Sequence, residues 1–414
     1  MVSPPNISPA GPRKAAIGFI LATLALDALG FGIVVPIIPE LVRHLSGRST
    51  SEAASVLGAM VATFALAQLV ASPVIGGLSD RFGRRPVMLL SITGTAANYL
   101  FLAWAPSVVW LFVGRLLAGV TSANVSTANA YIADISTPSE RAQRFGLVGA
   151  AFSFGFVIGP AAGGLLGGID LRLPFLVSAA LAGCNLLFGL FILPESLSPE
   201  RRSPFAWKGA NPVAAIRELA AEPLTRRLAT AWSCMWLGLG TIQTVFVLST
   251  ILRFGWGPTQ NGTALALVGV CGAVVQGGLV RPIIRRLGER RTAMFGLLAS
   301  AAAYLLFAVA TQSWQFFVAI VVQSMGAVAN PAVRALFSAH AGPSRQGHMM
   351  GCLSVVEGLT AIGSPLLAAA LFSRFAAPSA AFHFPGAPFL TASLVFLVAA
   401  FAMRRAGHRT MHRV

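Results

Sequence analysis

Residues 19–39 read FILATLALDALGFGIVVPIIP, an apolar run carrying a single charge, Asp27, near its middle. A helix needs ~20 mostly apolar residues to cross the ~30 Å hydrocarbon core of a bilayer, and this run supplies them. Such windows recur near 15–39, 53–78, 87–105, 107–133, 144–169, 173–193, 226–252, 262–283, 291–310, 313–338, 348–372 and 386–403. Hydrophobic residues make up 56% of the 414 and charged residues 10%, with a mean hydropathy of +0.75, which excludes a soluble globular domain. Period-two alternation is missing and Ala, Leu and Gly dominate, so each window predicts a helix whose backbone groups pair internally. The sequence predicts an all-α membrane protein with twelve transmembrane helices.

A net charge of +17 would suggest nucleic acid in a soluble protein, but the placement of the charges points elsewhere. Of the 30 Lys and Arg residues, 23 fall in the termini and in alternate loops: GPRK, DRFGRRP, SERAQR, residues 201–227, RPIIRRLGERR, PSRQGH and RRAGHRTMHR. Five fall in the opposite loops, and Arg115 and Arg334 lie inside spans. Excess basic residues stay cytoplasmic, so both termini are expected there, in a multi-pass protein of a cell membrane, the inner membrane of a bacterium. The basic loops then read as topology determinants beside lipid phosphates, and no nucleic-acid partner is expected.

The N-terminal MVSPPNISPAGPRK runs into a long span with no small-residue cleavage site close behind, and reads as retained. Cys184, Cys234, Cys271 and Cys352 sit in apolar spans without a CxxC pair and read as packing residues. The six histidines are scattered, with no HExxH or other metal spacing, and there is no GxxxxGK[ST] phosphate loop. Neither a metal nor a cofactor is therefore expected. Asn261 begins an NGT sequon in an expected outside loop.

The chain repeats itself. An offset of 205 brings Arg81, Gly83 and Arg85 onto Arg286, Gly288 and Arg290, and Tyr99, Phe112, Pro138, Gly146 and Pro160 onto Tyr304, Phe317, Pro343, Gly351 and Pro365. Two pseudo-symmetric six-helix bundles are implied, at 15–193 and 226–403, joined by a polar cytoplasmic linker at 194–225 and flanked by tails at 1–14 and 404–414. Parallel six-helix halves around a midplane site are how rocking transporters are built.

Two motifs sharpen this. GGLSDRFGRRP (76–86) joins the second and third spans. Its Gly76 and Gly83 suit tight turns, while Asp80 could meet a helix N-terminus or a cation and Arg81, Arg84 and Arg85 could meet acids at other helix ends, making a reversible latch. GLVGAAFSFGFVIGPAAGG (146–164) sets Gly146, Gly155, Gly159, Pro160, Gly163 and Gly164 along the fifth span, where glycines let another helix approach and the proline kinks the contact. The fourth span carries Arg115, Gly119, Ser122, Ser126 and Asn129 at helical spacing, then Asp134 at its cytoplasmic end, a polar stripe suited to water or protein.

With these motifs the chain resembles the twelve-span drug:proton antiporters of the major facilitator superfamily. Residues 76–85 match that superfamily's G-x-L-x-D-R-x-G-R-[RK] loop, and residues 146–164 match its antiporter motif at every specified position. More narrowly it resembles the tetracycline/proton antiporters, through LDALGFGIVVPIIPEL, SDRFGRRPV, AYIADI, LPES, RFGW, RLGERR and RQGHMMG. The resemblance implies functional importance for Asp27, Asp80, Asp134 and Arg115. Where those exporters carry a ninth-span acid this chain has Ser300, and where many carry an eighth-span histidine it has Gly272.

A midplane carboxylate costs roughly 2.5–3.5 kcal/mol when ionised, so Asp27 is expected to exchange a proton as the cavity alternates between the two sides. A permanent pair with Arg115 is the alternative. In the second half Glu357, about ten residues into the eleventh span, and Arg334 in the tenth form either a structural ion pair or a replacement for the missing carboxylate, as proton site or anchor for a cationic substrate. Ser122, Ser126, Asn129, Gln243, Asn330 and Arg334 are candidate substrate contacts in a cavity otherwise walled by Phe, Met and Leu, suited to an amphipathic organic molecule. The expected function is proton-coupled export by a monomer. A metabolite importer or facilitator on the same fold is disfavoured by the complete 146–164 motif, and an intramembrane enzyme by the lack of a convergent nucleophile, base and oxyanion site.

Overall fold

The computed structural model describes residues 10–122, 124–136, 138–203 and 212–405. Its helices are α1 (Ala10–Val34), α2 (Ile38–Ser46), α3 (Thr50–Phe82), α4 (Arg84–Ala103), α5 (Val108–Thr121), α6 (Asn124–Ile135), α7 (Pro138–Ile169), α8 (Leu173–Ile192), α9 (Pro212–Ala221), α10 (Pro223–Phe254), α11 (Pro258–Val274), α12 (Val280–Val309), α13 (Ser313–Gly326), α14 (Ala329–Phe375) and α15 (Ala387–Arg405). Among the described residues there is no strand. The all-helical membrane architecture is as expected, although the first helix ends at Val34 instead of residue 39: Pro36 follows it, and the amphipathic α2 starts with Pro39 in its first turn. A capping box between Ser49 and Glu52 then starts α3.

Among the described residues ten helical stretches are long and apolar enough to cross a membrane; the longest, Pro258–Val309, runs through Gly288, whose backbone leaves the helical region. Dividing that stretch at Gly288 and counting α5 with α6 as one span gives twelve. In one bundle α1 packs on α7 and α8, and α4 on α8. In the other, α12 and α10 pack on α15, and α12 on α13. The bundles meet through α7 with α11 and α3 with α14.

The repeat reaches down to the backbone. Gly83 turns with φ 107° and ψ 161°, and its counterpart Gly288 with φ 74° and ψ 162°, conformations that only glycine adopts easily. The fourth and tenth spans also break at matching places. Helix α5 stops at Thr121 and α6 resumes at Asn124, while α13 stops at Gly326 and α14 resumes at Ala329. A continuous fourth helix with a regular polar stripe is therefore corrected: the span is interrupted near mid-depth. The eighth span carries a π-helical turn at Val275–Leu279, from which the Gln276 amide reaches the Ala327 carbonyl at 3.4 Å, at the tenth-span break. Broken helices and π-turns at mid-depth are where transporters expose polar backbone to a cavity.

The linker region contains a helix that its polar composition hides. In α9 Ala215 and Leu219 are buried, and the helix packs on α10 and α14. The sequon is corrected too: Asn261 is 1% exposed, its amide donating to the Gly257 carbonyl at 3.1 Å and its oxygen accepting from Thr250 at 2.5 Å. It is an internal anchor for the start of α11, not a glycan acceptor.

Candidate functional site

Asp27 lies half-buried in α1, in a stretch held by three other helices. One turn on, Gly30 faces the Tyr99 hydroxyl of α4, and Ser178 of α8 donates to the Gly30 carbonyl at 3.2 Å. Tyr99 is within electrostatic range of both the Asp27 carboxylate and the Arg115 guanidinium. The third helix is α7. Gly155 meets the backbone of Ala25 and Leu29, a Cβ on Gly159 would stand 2.7 Å from the Gly32 Cα, and Gly163 abuts Ile33.

The other face of α7 meets the second bundle. A Cβ on Gly164 would lie 2.8 Å from the Gly262 Cα of α11, and Thr259 donates to the Gly164 carbonyl at 3.3 Å. The glycine motif thus serves both the α1 contact and the junction between bundles, with the Pro160 carbonyl against Gly262. Gly146 does not take part, since nothing lies within 4 Å of a Cβ placed there. The further junctions, Gly58 with Pro365 and Ala369, and Gly358 with Leu69, lie outward from the basic loops along α3 and α14.

At the basic-loop end the loop's charges pair through Arg84, with Asp80 taking the cation rather than a helix N-terminus. The Arg84 guanidinium bridges Asp80 at 2.6 Å and Asp134 at 3.1 Å, and donates to Ser79 at 3.1 Å. Glu195, just past α8, accepts from the backbone N–H groups of Arg84 and Arg85 at 2.9 and 3.2 Å, so it caps the positive end of α4. Asp80 does not reach that helix terminus. The Arg85 guanidinium donates to the Leu190 carbonyl at 2.8 Å, and that of Arg81 lies over the Phe82 ring at 5.1 Å; neither guanidinium meets an acid among the described residues. Gly76 makes no turn: it lies inside α3 with open space around it, and only Gly83 turns the chain. Glu195 was visible in the sequence only as part of LPES; its spacing to GRRP, 111 residues, carries no local signal.

In the second bundle Arg334 and Glu357 pair at 3.1 Å, with the cation also 5.1 Å from the Trp232 ring centre. The pair is lopsided: the Arg334 side chain is 51% exposed and that of Glu357 22%. Arg334 sits two turns from the end of its span at Ala341, deeper than the single turn expected. Trp232 is buried and packs against Trp236, ring centres 6.2 Å apart and planes tilted by 59°, and Gln243, exposed, continues the same face of α10. Sequence reasoning missed this tryptophan pair.

The remaining predicted contacts separate. Ser122 turns back to the Gly119 carbonyl at 2.9 Å, and Gly119 is a close contact with the α3 backbone at Phe64 and Gln68, not part of an open stripe. Asn129 is half-buried in α6 and Asn330 follows the tenth-span break; the Ser126 side chain lies outside the described residues. Ser300 is buried against Gly326, the last residue before that break, and Gly272 faces open space.

The family model described as Major Facilitator Superfamily matches residues 20–286 and 254–411. The chain belongs to the major facilitator superfamily. Among curated members it is 37% identical over 390 residues to a class C tetracycline resistance protein of Escherichia coli, covering 94% of this chain and 96% of that one. It is 31% identical to multidrug resistance protein 2 of Bacillus subtilis (strain 168), covering 93% and 94%. Among solved structures, the human organic anion transporter MFSD10 (TETRAN) matches in fold with a TM-score of 0.69 at 24% identity, covering 96% of this chain and 100% of that one. A bacterial homolog of the human lysosomal transporter Spinster, in an inward-facing and unoccupied conformation, matches with a TM-score of 0.76 at 16% identity, covering 96% and 98%.

Proposed function

We propose that this chain is a secondary transporter that exports an amphipathic small molecule in exchange for protons by alternating access. The observation that carries the reading is the α7 glycine face, which holds α1 beside Asp27 while the opposite face joins α11, linking the candidate proton site to the junction that must move. The tetracycline and multidrug resistance relatives support the export direction. Asp27 exchanges the proton, with Tyr99 and Arg115 setting its field; Asp80, Arg84, Asp134 and Glu195 hold one inner end. Trp236, Gln243, Asn330 and the Arg334–Glu357 pair line the substrate path, with the buried Trp232 behind Arg334.

The two halves are 15–193 and 226–403, acting as a monomer in a bacterial inner membrane with the basic loops and both termini cytoplasmic. In that orientation the contacts of Gly58, Gly164 and Gly262 close the outer side. No cofactor takes part beyond the proton gradient. A substrate other than tetracycline is favoured by Ser300, buried against Gly326, where the resemblance to those exporters implies an acid.

Everted vesicles with an imposed pH gradient, challenged with dyes, tetracycline and other antibiotics, test this. Asp27→Asn should insert normally and lose substrate-driven proton release. Proton-coupled transport at the normal rate in that variant would remove Asp27 from the mechanism.

A further inference from the structure

Three donors that the transport cycle does not use meet where the linker helix crosses the second bundle. His348 and Cys352 stand four residues apart on α14, so their side chains share one face, and Glu218 of α9 comes between them. The Glu218 Oε2 lies 2.5 Å from His348 Nε2 and 3.9 Å from Cys352 Sγ, and the sulfur is 4.0 Å from the same imidazole nitrogen. We propose that Glu218, His348 and Cys352 form a binding site for a borderline-soft divalent cation of the zinc type, clamping α9 onto α14.

The geometry is close to what such an ion asks for. With metal–sulfur bonds of ~2.3 Å and metal–nitrogen or –oxygen bonds of ~2.0–2.1 Å, tetrahedral donors stand roughly 3.4–3.6 Å apart. The two sulfur edges need to close by about half an ångström, and the Glu218–His348 edge needs to open by about 0.9 Å. His348 can supply that movement, because its side chain is 64% exposed. Cys352 is fixed, with 4% of its surface accessible, so the site has one rigid buried donor and one adjustable donor at the water boundary. The exposed side leaves the fourth position to water.

The donor set also selects the ion. Thiolate with imidazole and one carboxylate suits zinc, whereas magnesium and calcium take oxygen ligands throughout. Binding displaces the thiol proton to solvent and leaves the cysteine as thiolate. A second tie lies nearby, since Glu222, just past α9, pairs with His340 at 2.9 Å. The ion would therefore join a helix already docked on the bundle. The position matters because α9 belongs to the segment joining the two halves, so an ion fixing it to α14 would stiffen the connection across which they rock.

Cobalt(II) makes the site visible, since thiolate-to-cobalt charge transfer absorbs in the near ultraviolet. Full-length protein with Cys184, Cys234 and Cys271 replaced by Ser or Ala, purified through a tag without histidine, is titrated with cobalt and then with zinc. The expected result is a sulfur band saturating at one cobalt per chain, removed by stoichiometric zinc and untouched by millimolar magnesium. Cys352→Ser should abolish the band, and His348→Gln and Glu218→Gln, both at accessible side chains, should each weaken zinc binding at least tenfold. Metal-free melting of each variant near that of the parent shows that folding is intact. The proposal is overturned if the parent gives no sulfur band, if the band survives Cys352→Ser, if magnesium displaces cobalt, or if folded His348→Gln and Glu218→Gln variants bind zinc as the parent does.

Discussion

A Cβ on Gly83 would run into the Glu195 carboxylate, whereas Gly288, its counterpart in the repeat with nearly the same ψ and a positive φ, has nothing within 4 Å. The two glycines separate backbone strain from a specific contact. Gly288→Ala meets strain alone, about 1–3 kcal/mol. Gly83→Ala meets the same strain and also pushes away the acid that caps α4, adding about 1–2 kcal/mol. Thermal melting in detergent should rank Gly83→Ala below Gly288→Ala, with Glu195→Gln reproducing part of the difference. Equal melting temperatures for the two alanine variants would remove Glu195 from the account.

Arg334 and Glu357 can be tested as a unit. Because Arg334 is half exposed, breaking the pair from either side should cost on the order of 1–3 kcal/mol, less than a fully buried pair. Removing both charges with Arg334→Gln and Glu357→Gln should restore most of that stability. If the pair anchors a cationic substrate, the double variant is as stable as the parent but stops moving cationic dyes while still moving neutral ones. Normal transport of cations by the double variant would make the pair structural.

The motif glycines of α7 should not be equivalent. Gly164→Ala places a methyl group against the Gly262 backbone and should shift the population toward the state open on that side. Gly146→Ala meets open space and should leave the population unchanged. Reporter cysteines probed with a membrane-impermeant thiol reagent from each side read the balance. A Gly146→Ala shift as large as that of Gly164→Ala would contradict the assignment of the junction to Gly164.

Asn261 makes a simpler forecast. Expressed in a eukaryotic host, the protein should carry no glycan at NGT, so treatment with an endoglycosidase should not change its mobility. Asn261→Ala should destabilise by about 1–3 kcal/mol, because it removes two buried side-chain hydrogen bonds, to Thr250 and to the Gly257 carbonyl, although both groups keep backbone partners. A glycosylated, stable protein would refute the buried placement.

Hydropathy made the spans legible because the bilayer imposes one length and one polarity on every crossing, and the duplication made the two halves legible through Gly83 and Gly288. Asp27, Asp80 and Arg84 could be picked out because a charge in or beside an apolar run has few other uses. What stayed hidden depends on where helices lie in three dimensions. Glu195 caps a helix that begins 111 residues earlier in the chain. The breaks after Thr121 and Gly326 show in no run of glycine or proline, and α9, itself mostly apolar, is hidden because its ten residues are too few to cross a membrane and lie in a linker rich in charge. Cys352 reads as a packing residue until His348, one turn away, is set beside Glu218.

The Gly164–Gly262 crossing carries no side chain on either partner, so α7 and α11 touch there backbone to backbone. Without interlocking side chains such a contact resists separation more than it resists turning, as a bearing does. From Gly164 to the start of α7 at Pro138 the helix runs 26 residues, a lever arm of roughly 39 Å at 1.5 Å per residue. A turn of about 10° at the crossing would therefore sweep the far end through about 7 Å, about the width needed to admit a small organic molecule, while the crossing itself hardly moves.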